Sequence, residues 1–367
     1  MKKNPTNQRA NSNSESSDSD EDIDEVKYYS WTKVDQRISK ITAAVSFEDA
    51  VALMKNQLKL LKEHVFVKRV QNVAYNQHKK DLTLDELLVH VDFAENYRND
   101  QQDEIQSAYF GHQSFSLFTS CCYYKDGEDN LLQKSVVIAT ENSDHNRVTS
   151  MSSLKKVVEI AEDFTGKKYH RLIIWSDGMS AQFRSRFVFK ILAGTLFSEK
   201  EVWWFYNERH HGKGPMDGVG GTLKNMVFRK VKSGQIVINT PKDFTDAAIK
   251  FVPSITTIFL PKEDEIKEPD DINNSPLIKD TLKVHKLERF YNQRQECSIN
   301  FFQTAADEEP FYTQWYSNVG GLVCGHKESN ANENQCSECD LYYSEDGKDW
   351  LECPACKQWF HEACFYV

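Results

Sequence analysis

No stretch of this chain approaches the roughly 18 consecutive apolar residues that a membrane-spanning helix needs, so the sequence predicts no membrane span and no membrane partner. The N-terminal segment MKKNPTNQRANSNSESSDSDEDIDE holds no apolar centre of the kind that marks a secretory signal. Positive charge is in deficit: 45 Lys and Arg against 55 Asp and Glu leave a formal net charge of −10. That balance argues against nucleic-acid binding unless basic residues gather locally. Cysteine is missing from most of the length. Six of the nine cysteines lie between Cys324 and Cys364, Cys121 and Cys122 sit together, and Cys297 stands alone. A disulfide framework would spread them, so the layout predicts an intracellular protein with one metal module. No internal repeat is visible. The glycine-rich stretch HHGKGPMDGVGG lacks the G-x-x-x-x-G-K-[ST] spacing of a nucleotide cradle.

What is present suffices for a core: 40% of residues are hydrophobic and 12% aromatic. A length of 367 residues predicts one large domain with accessories. Residues 1–26 read as a disordered acidic tail, with three basic against seven acidic residues in Met1–Glu25. Residues 27–84 read as helical, with Ser46 and Asp49 as the cap region of SFEDAVALMKNQLKLLKEHV. Within residues 85–233, DELLVHVDFAEN, SFSLFTSCCYY and KSVVIATE read as three strands. SSLKKVVEIAEDF reads as an amphipathic helix, RLIIWSDG as a buried central strand, RSRFVFKILAGTLF as a helix and EVWWFYN as a fifth strand. A third helix follows the glycines. The order β-β-β-α-β-α-β-α predicts an α/β fold, a mixed five-stranded sheet with helices on its faces. Residues 234–320 read as an accessory part with an acidic, proline-containing loop, and residues 324–367 as a small zinc-stabilised finger.

Two-metal phosphoryl transfer needs carboxylates from separate chain segments around ions ~3.5–4 Å apart. This chain offers Asp92 in HVDFAENY, Asp177 in IIWSDG and Asp217 in GKGPMDGVGG, with Glu208 as the alternative third acid. Each also has an ordinary reading: a strand-end residue, an Asp-Gly turn and a helix cap. Element order and acid placement together resemble the ribonuclease-H-like fold of integrases and DDE transposases. HVDFAENY, WSDGMSAQFRSRF and HHGKGPMDGVGGTLKN resemble motifs of transposon-derived animal proteins with DDE/DDD-type cores. The resemblance implies Asp92, Asp177 and Asp217 as a triad holding Mg or Mn for DNA strand cleavage and strand transfer. Arg184, Arg186, Lys213, Lys224, Arg229 and Lys230 are the candidate contacts to the DNA backbone, here transposon ends. His210 and His211 could orient a water, and Asn96 and Gln182 could hold DNA or support the acids.

The terminal cysteines follow the spacing Cys336-x2-Cys339, then Cys353-x2-Cys356, then His361-x2-Cys364. Thiolate and imidazole ligands at that spacing suit tetrahedral zinc. With WLEC and WFH the segment resembles the first six ligands of a plant homeodomain (PHD) finger. That family implies Cys336, Cys339, His361 and Cys364 around one zinc, with Cys353 and Cys356 starting a second. The seventh and eighth ligands are missing, so the finger reads as truncated, with Cys324 and His326 as the nearby candidates to complete it. Such a finger implies a histone tail or chromatin protein as partner and the nucleus as location. A homo-oligomer is compatible with this reading. The competing expectation is a catalytically inactive, domesticated relic that acts only through its finger.

Overall fold

The computed structural model describes residues 25–101, 105–106, 114–194, 196–208, 214–270, 272–274, 284–291, 297–316, 322–323, 350–352 and 359–361. The chain divides into two compact units, Met1–His64 and Val65–Val367.

In the first unit, β1 (Glu25–Val34) and β2 (Arg37–Ser46) form an antiparallel hairpin with Val34 opposite Arg37. This corrects the helical reading of the segment before Ser46. Alternation decides it: Val26, Tyr28 and Ser30 share one face, Tyr29 and Trp31 the other, and period two favours a strand. Asp35 and Gln36 close the hairpin with φ of 47° and 66°, the paired left-handed conformation of a two-residue turn that follows strand twist. The helix α1 (Phe47–Asp81) starts where the sequence placed its cap. The Ser46 hydroxyl accepts from the Asp49 N–H at 3.1 Å and donates to the Asp49 carboxylate at 2.8 Å.

The second unit is built on one large mixed sheet. Its strands are β3 (Glu86–Arg98), β4 (Ser114–Lys125), β5 (Leu131–Thr140), β6 (Arg171–Ser176), β7 (Glu201–Tyr206), β8 (Thr256–Leu260), β9 (Lys286–Tyr291), β10 (Cys297–Phe302), β11 (Tyr312–Tyr316) and β12 (Leu322–Val323). They lie in the order β12-β11-β10-β9-β7-β6-β3-β4-β5-β8. β3, β4 and β5 are successively antiparallel, whereas β6 is parallel to β3 and β7 parallel to β6. The five expected strands form the middle of the sheet. The expectation of five is corrected to ten, because the segment after residue 233 returns to both edges: β8 pairs with β5, and β9 to β12 extend from β7. Residues 278–293, IKDTLKVHKLERFYNQ, whose pattern fits a strand or a short helix, contain the strand β9.

Helices cover both faces. On one, α2 (Arg147–Thr165) and α3 (Arg186–Ala193) bury Met151, Leu154 and Val188 against Leu87, Val89 and Val91 of β3. On the other, α4 (Pro215–Lys232) and α5 (Pro241–Phe251) pack Leu223, Val227 and Phe244 on Leu117 and Val137, while Met216 meets Leu88. The C-terminal half of α1 joins this second layer. The buried Gln71 amide donates to the carbonyls of Tyr206 and His285 and accepts from the Ala305 N–H. No helix among the described residues is long and apolar enough to cross a membrane.

β13 (Trp350–Glu352) and β14 (Trp359–His361) form a short antiparallel pair with Trp350 opposite His361. The zinc-ligand candidates Cys324, His326, Cys336, Cys339, Cys353, Cys356 and Cys364 lie outside the described residues, as does the side chain of His361.

Candidate active site

Parallel pairing sets the first two acids side by side. Glu86 to His90 of β3 run in register with Arg171 to Trp175 of β6, His90 opposite Trp175. Asp92 and Asp177 each lie two residues beyond that last pair, so the same register sets them level, Asp177 just past the carboxyl end of β6 and Asp92 midway along the longer β3, where its pairing with β6 stops. In α/β sheets ligands bind at the carboxyl ends of parallel strands. Asp92 shares a strand face with His90 and Ala94, the face that α4 covers.

The glycines of the opening turn of α4 bring in the third acid. A Cβ on Gly220 would stand 2.9 Å from the Ala94 Cβ and 3.3 Å from the Thr119 methyl, so only a bare Cα lets the helix lie this close to β3 and β4. A Cβ on Gly214 would meet the His90 ring at 3.0 Å. Gly218 and Gly221 have open space around them. Asp217, in the first turn, is exposed and accepts from the Gly214 N–H at 3.2 Å, so its ordinary role as a helix cap is real.

Electrostatics show Asp92 under the charge of both other acids. Burial, then the charge of Asp177 and, more weakly, that of Asp217, push the Asp92 carboxyl up to about 7, against a hydrogen bond from the Phe93 N–H. Burial also raises Asp177, opposed by a hydrogen bond from the Met179 N–H and by the Arg184 guanidinium. Among the described residues, however, no three His, Cys, Asp or Glu side chains stand as a ready-made cluster around one ion. Glu208, the alternative third acid, is engaged elsewhere, with His285 Nε2 at 2.9 Å, and is not among the charges acting on Asp92.

Two supporting residues were not legible in these roles. Arg184, expected at the surface on DNA, is 1% exposed. It donates to the Val284 carbonyl at 2.9 Å and lies beside Asp177 as its counter-charge. Gly178 makes room for it: a Cβ there would stand 2.7 Å from the guanidinium carbon. The second is His90, buried two residues before Asp92. Its Nδ1 meets the Tyr75 hydroxyl at 3.0 Å and its Nε2 the Asn207 amide nitrogen at 3.3 Å. Burial and then Lys79 lower its pKa to about 3, so it is neutral, and accepting from Asn207 leaves Nδ1–H to donate to Tyr75. The only signal in the sequence was a histidine inside an apolar strand.

The remaining candidates scatter. The Asn96 carbonyl oxygen lies 2.6 Å from His145 Nε2, and its amide donates to the Ser143 carbonyl, so it ties the end of β3 to the loop before α2. Gln182 is buried. The Arg186 guanidinium lies 4.8 Å from the Phe187 ring, Lys224 donates to the Glu95 carbonyl, and Lys230 donates to Gln235. Arg229 and Lys230 sit in the last turn of α4, where cations also complement the helix dipole. His210, His211 and Lys213 lie outside the described residues.

A search among curated proteins finds no match. A domain of unknown function, DUF8701, matches residues 71–299, from Gln71 in α1 to Ile299 in β10, a span that contains all three acids, and the chain belongs to that family.

Proposed function

We propose that this chain is a transposase-derived protein with a ribonuclease-H-like core, cutting and joining DNA strands at Asp92, Asp177 and Asp217. A C-terminal PHD-like zinc finger would direct it to DNA or chromatin in the nucleus. The observation that carries this reading is the register of β3 and β6, which aligns Asp92 with Asp177 beneath the start of α4. The strand order β7-β6-β3-β4-β5, with the first three strands antiparallel and the next two parallel, supports it.

A buried carboxyl raised by the charges of two neighbouring acids, as Asp92 is by Asp177 and Asp217, is the donor set a divalent cation relieves. Asp92, Asp177 and Asp217 would hold Mg²⁺ or Mn²⁺, which when bound polarises the phosphate and activates the attacking oxygen. The chain's own residues prepare that site. Arg184 holds Asp177 at the strand end, and the neutral His90 adds no cation beneath Asp92. Gly220 keeps Asp217 above the sheet. Asp92 must lose its proton before it can serve, so function should rise with pH through about 7.

A relic without catalysis is the second reading. The Arg184 contact at Asp177 and the capping bond of Asp217 favour it, since both carboxylates already have protein partners. Incubating the full chain with Mn²⁺ and a DNA oligonucleotide or plasmid separates the two. The enzyme reading expects strand cleavage that Asp177→Asn reduces by at least ~1,000-fold, the scale of losing an essential element of charge stabilisation. Cleavage that is absent in the native chain, or unchanged in the variant, sinks it.

A further inference from the structure

We propose that residues 25–64 are a homodimerisation module, in which the first half of α1 and the groove beside β1 are covered by the same unit of a second copy. The spacing of Phe47, Val51, Met54, Leu58 and Leu61 alternates four and three residues, the heptad pattern of a coiled-coil seam. Among the described residues of this unit the seam has no cover. Phe47 is 60% exposed, Met54 55%, Leu58 42% and Leu61 52%, and every residue from Ala52 to Glu63 is exposed. Beside it runs an apolar groove between β1 and α1, lined by Val26, Tyr28, Phe47, Val51 and Met54.

The hairpin poses the same problem. It is a separate two-stranded sheet, and Tyr29, Trp31 and Ile38 stand 71%, 71% and 75% exposed. A hairpin of two strands is marginal in water without further packing. Phe, Tyr and Trp side chains carry about 150–250 Å² each, so Tyr29 and Trp31 leave on the order of 300 Å² open on the hairpin face turned away from the groove, in addition to the seam on α1. The largest apolar patch on a typical monomer is roughly 300–600 Å², and a standard interface takes about 800 Å² from each partner.

Three arguments select a second copy as the occupant. The tail before the hairpin, residues 1–24, offers only Met1, Pro5, Ala10 and Ile23 as apolar side chains and cannot cover the seam. A seam of period 3.5 is filled by a helix of the same period, and α1 itself is one. In a parallel pair the flanking positions Ala50 and Gln57 lie towards Lys55 and Lys62, so no like charges meet across the seam. A twofold axis then closes the interface on itself.

Sedimentation or light scattering of the full chain tests this. The native chain should be a dimer at micromolar concentration, and Leu58→Glu with Leu61→Glu should weaken it by ~100-fold or more through charge buried at the seam. Thermal unfolding of the second unit, which has its own core, should not change. A monomeric native chain overturns the proposal, as does a double variant that dimerises as tightly. Should the variant fail to fold, hydrogen exchange on the native chain decides. Amides from Phe47 to Leu61 should exchange faster on dilution, and rates that ignore concentration overturn the proposal.

Discussion

Asp92 is where sequence, packing and chemistry meet. An acid between Val91 and Phe93 was conspicuous in the sequence because an ionised carboxylate among apolar neighbours is costly unless something offsets it. Its carboxyl titrates near 7 in the fold against 3.8 for the ordinary group, so the folded state holds the proton more tightly. The sign follows: stability is highest below about 4, falls as pH rises towards 7, and is then flat. Asp92→Asn should remove that slope and raise stability at pH 8 over the native chain, measured by denaturant unfolding across pH. An unaltered slope would place the titrating group elsewhere. Gly220→Val tests the close approach of α4. Its added atoms would meet Ala94 and Thr119, and overpacking of this kind costs about 1–3 kcal/mol. A loss of stability smaller than that of Gly221→Val, at an open position, would contradict the packing argument. Arg184 shows what sequence could not reveal. Nothing in RSRF distinguishes an arginine on the surface from one folded in beside Asp177, because the reason, the space left by Gly178, lies six residues away and emerges only when the turn closes.

At the scale of elements, periodicity was legible where burial enforced it. The strands from β3 to β7 and the helices between them lie where the apolar pattern placed them, since each buries a continuous face. The hairpin of β1 and β2 was misread because its alternation is diluted by exposed lysines and no buried face sharpens it. β9 to β12 were obscure because segments such as KLERFY and CSINFF are short and leave strand and helix both open until they pair with β7 and with one another. The docking of α1 was invisible too, since Gln71 reads as an ordinary helix-surface glutamine. In the fold it serves three backbone groups at the end of β7 and beyond. Gln71→Leu would leave them unpaired and should cost about 2–4 kcal/mol in thermal or chemical unfolding. A neutral result would show that water replaces the amide.

At the scale of the whole molecule, the proposed metal-dependent core and zinc-dependent finger should hold separable metals. Metal analysis of the purified chain should find at least one zinc per chain, reduced by one in Cys336→Ser, since the thiolate ligand set of one site would be broken. Zinc content unaffected by that change would remove the finger from the account. The core is tested independently of activity by thermal unfolding with Mn²⁺ at pH 8, where Asp92 is ionised. A bound ion at ~100 times its Kd stabilises a fold by about 2.7 kcal/mol, and each kcal/mol moves the midpoint of a domain this size by roughly 2–4 °C. The proposed metal site predicts a rise of several degrees in the native chain, retained in Glu208→Gln and lost in Asp92→Asn and Asp177→Asn. A midpoint that ignores Mn²⁺, or a rise that survives both aspartate substitutions, would contradict it.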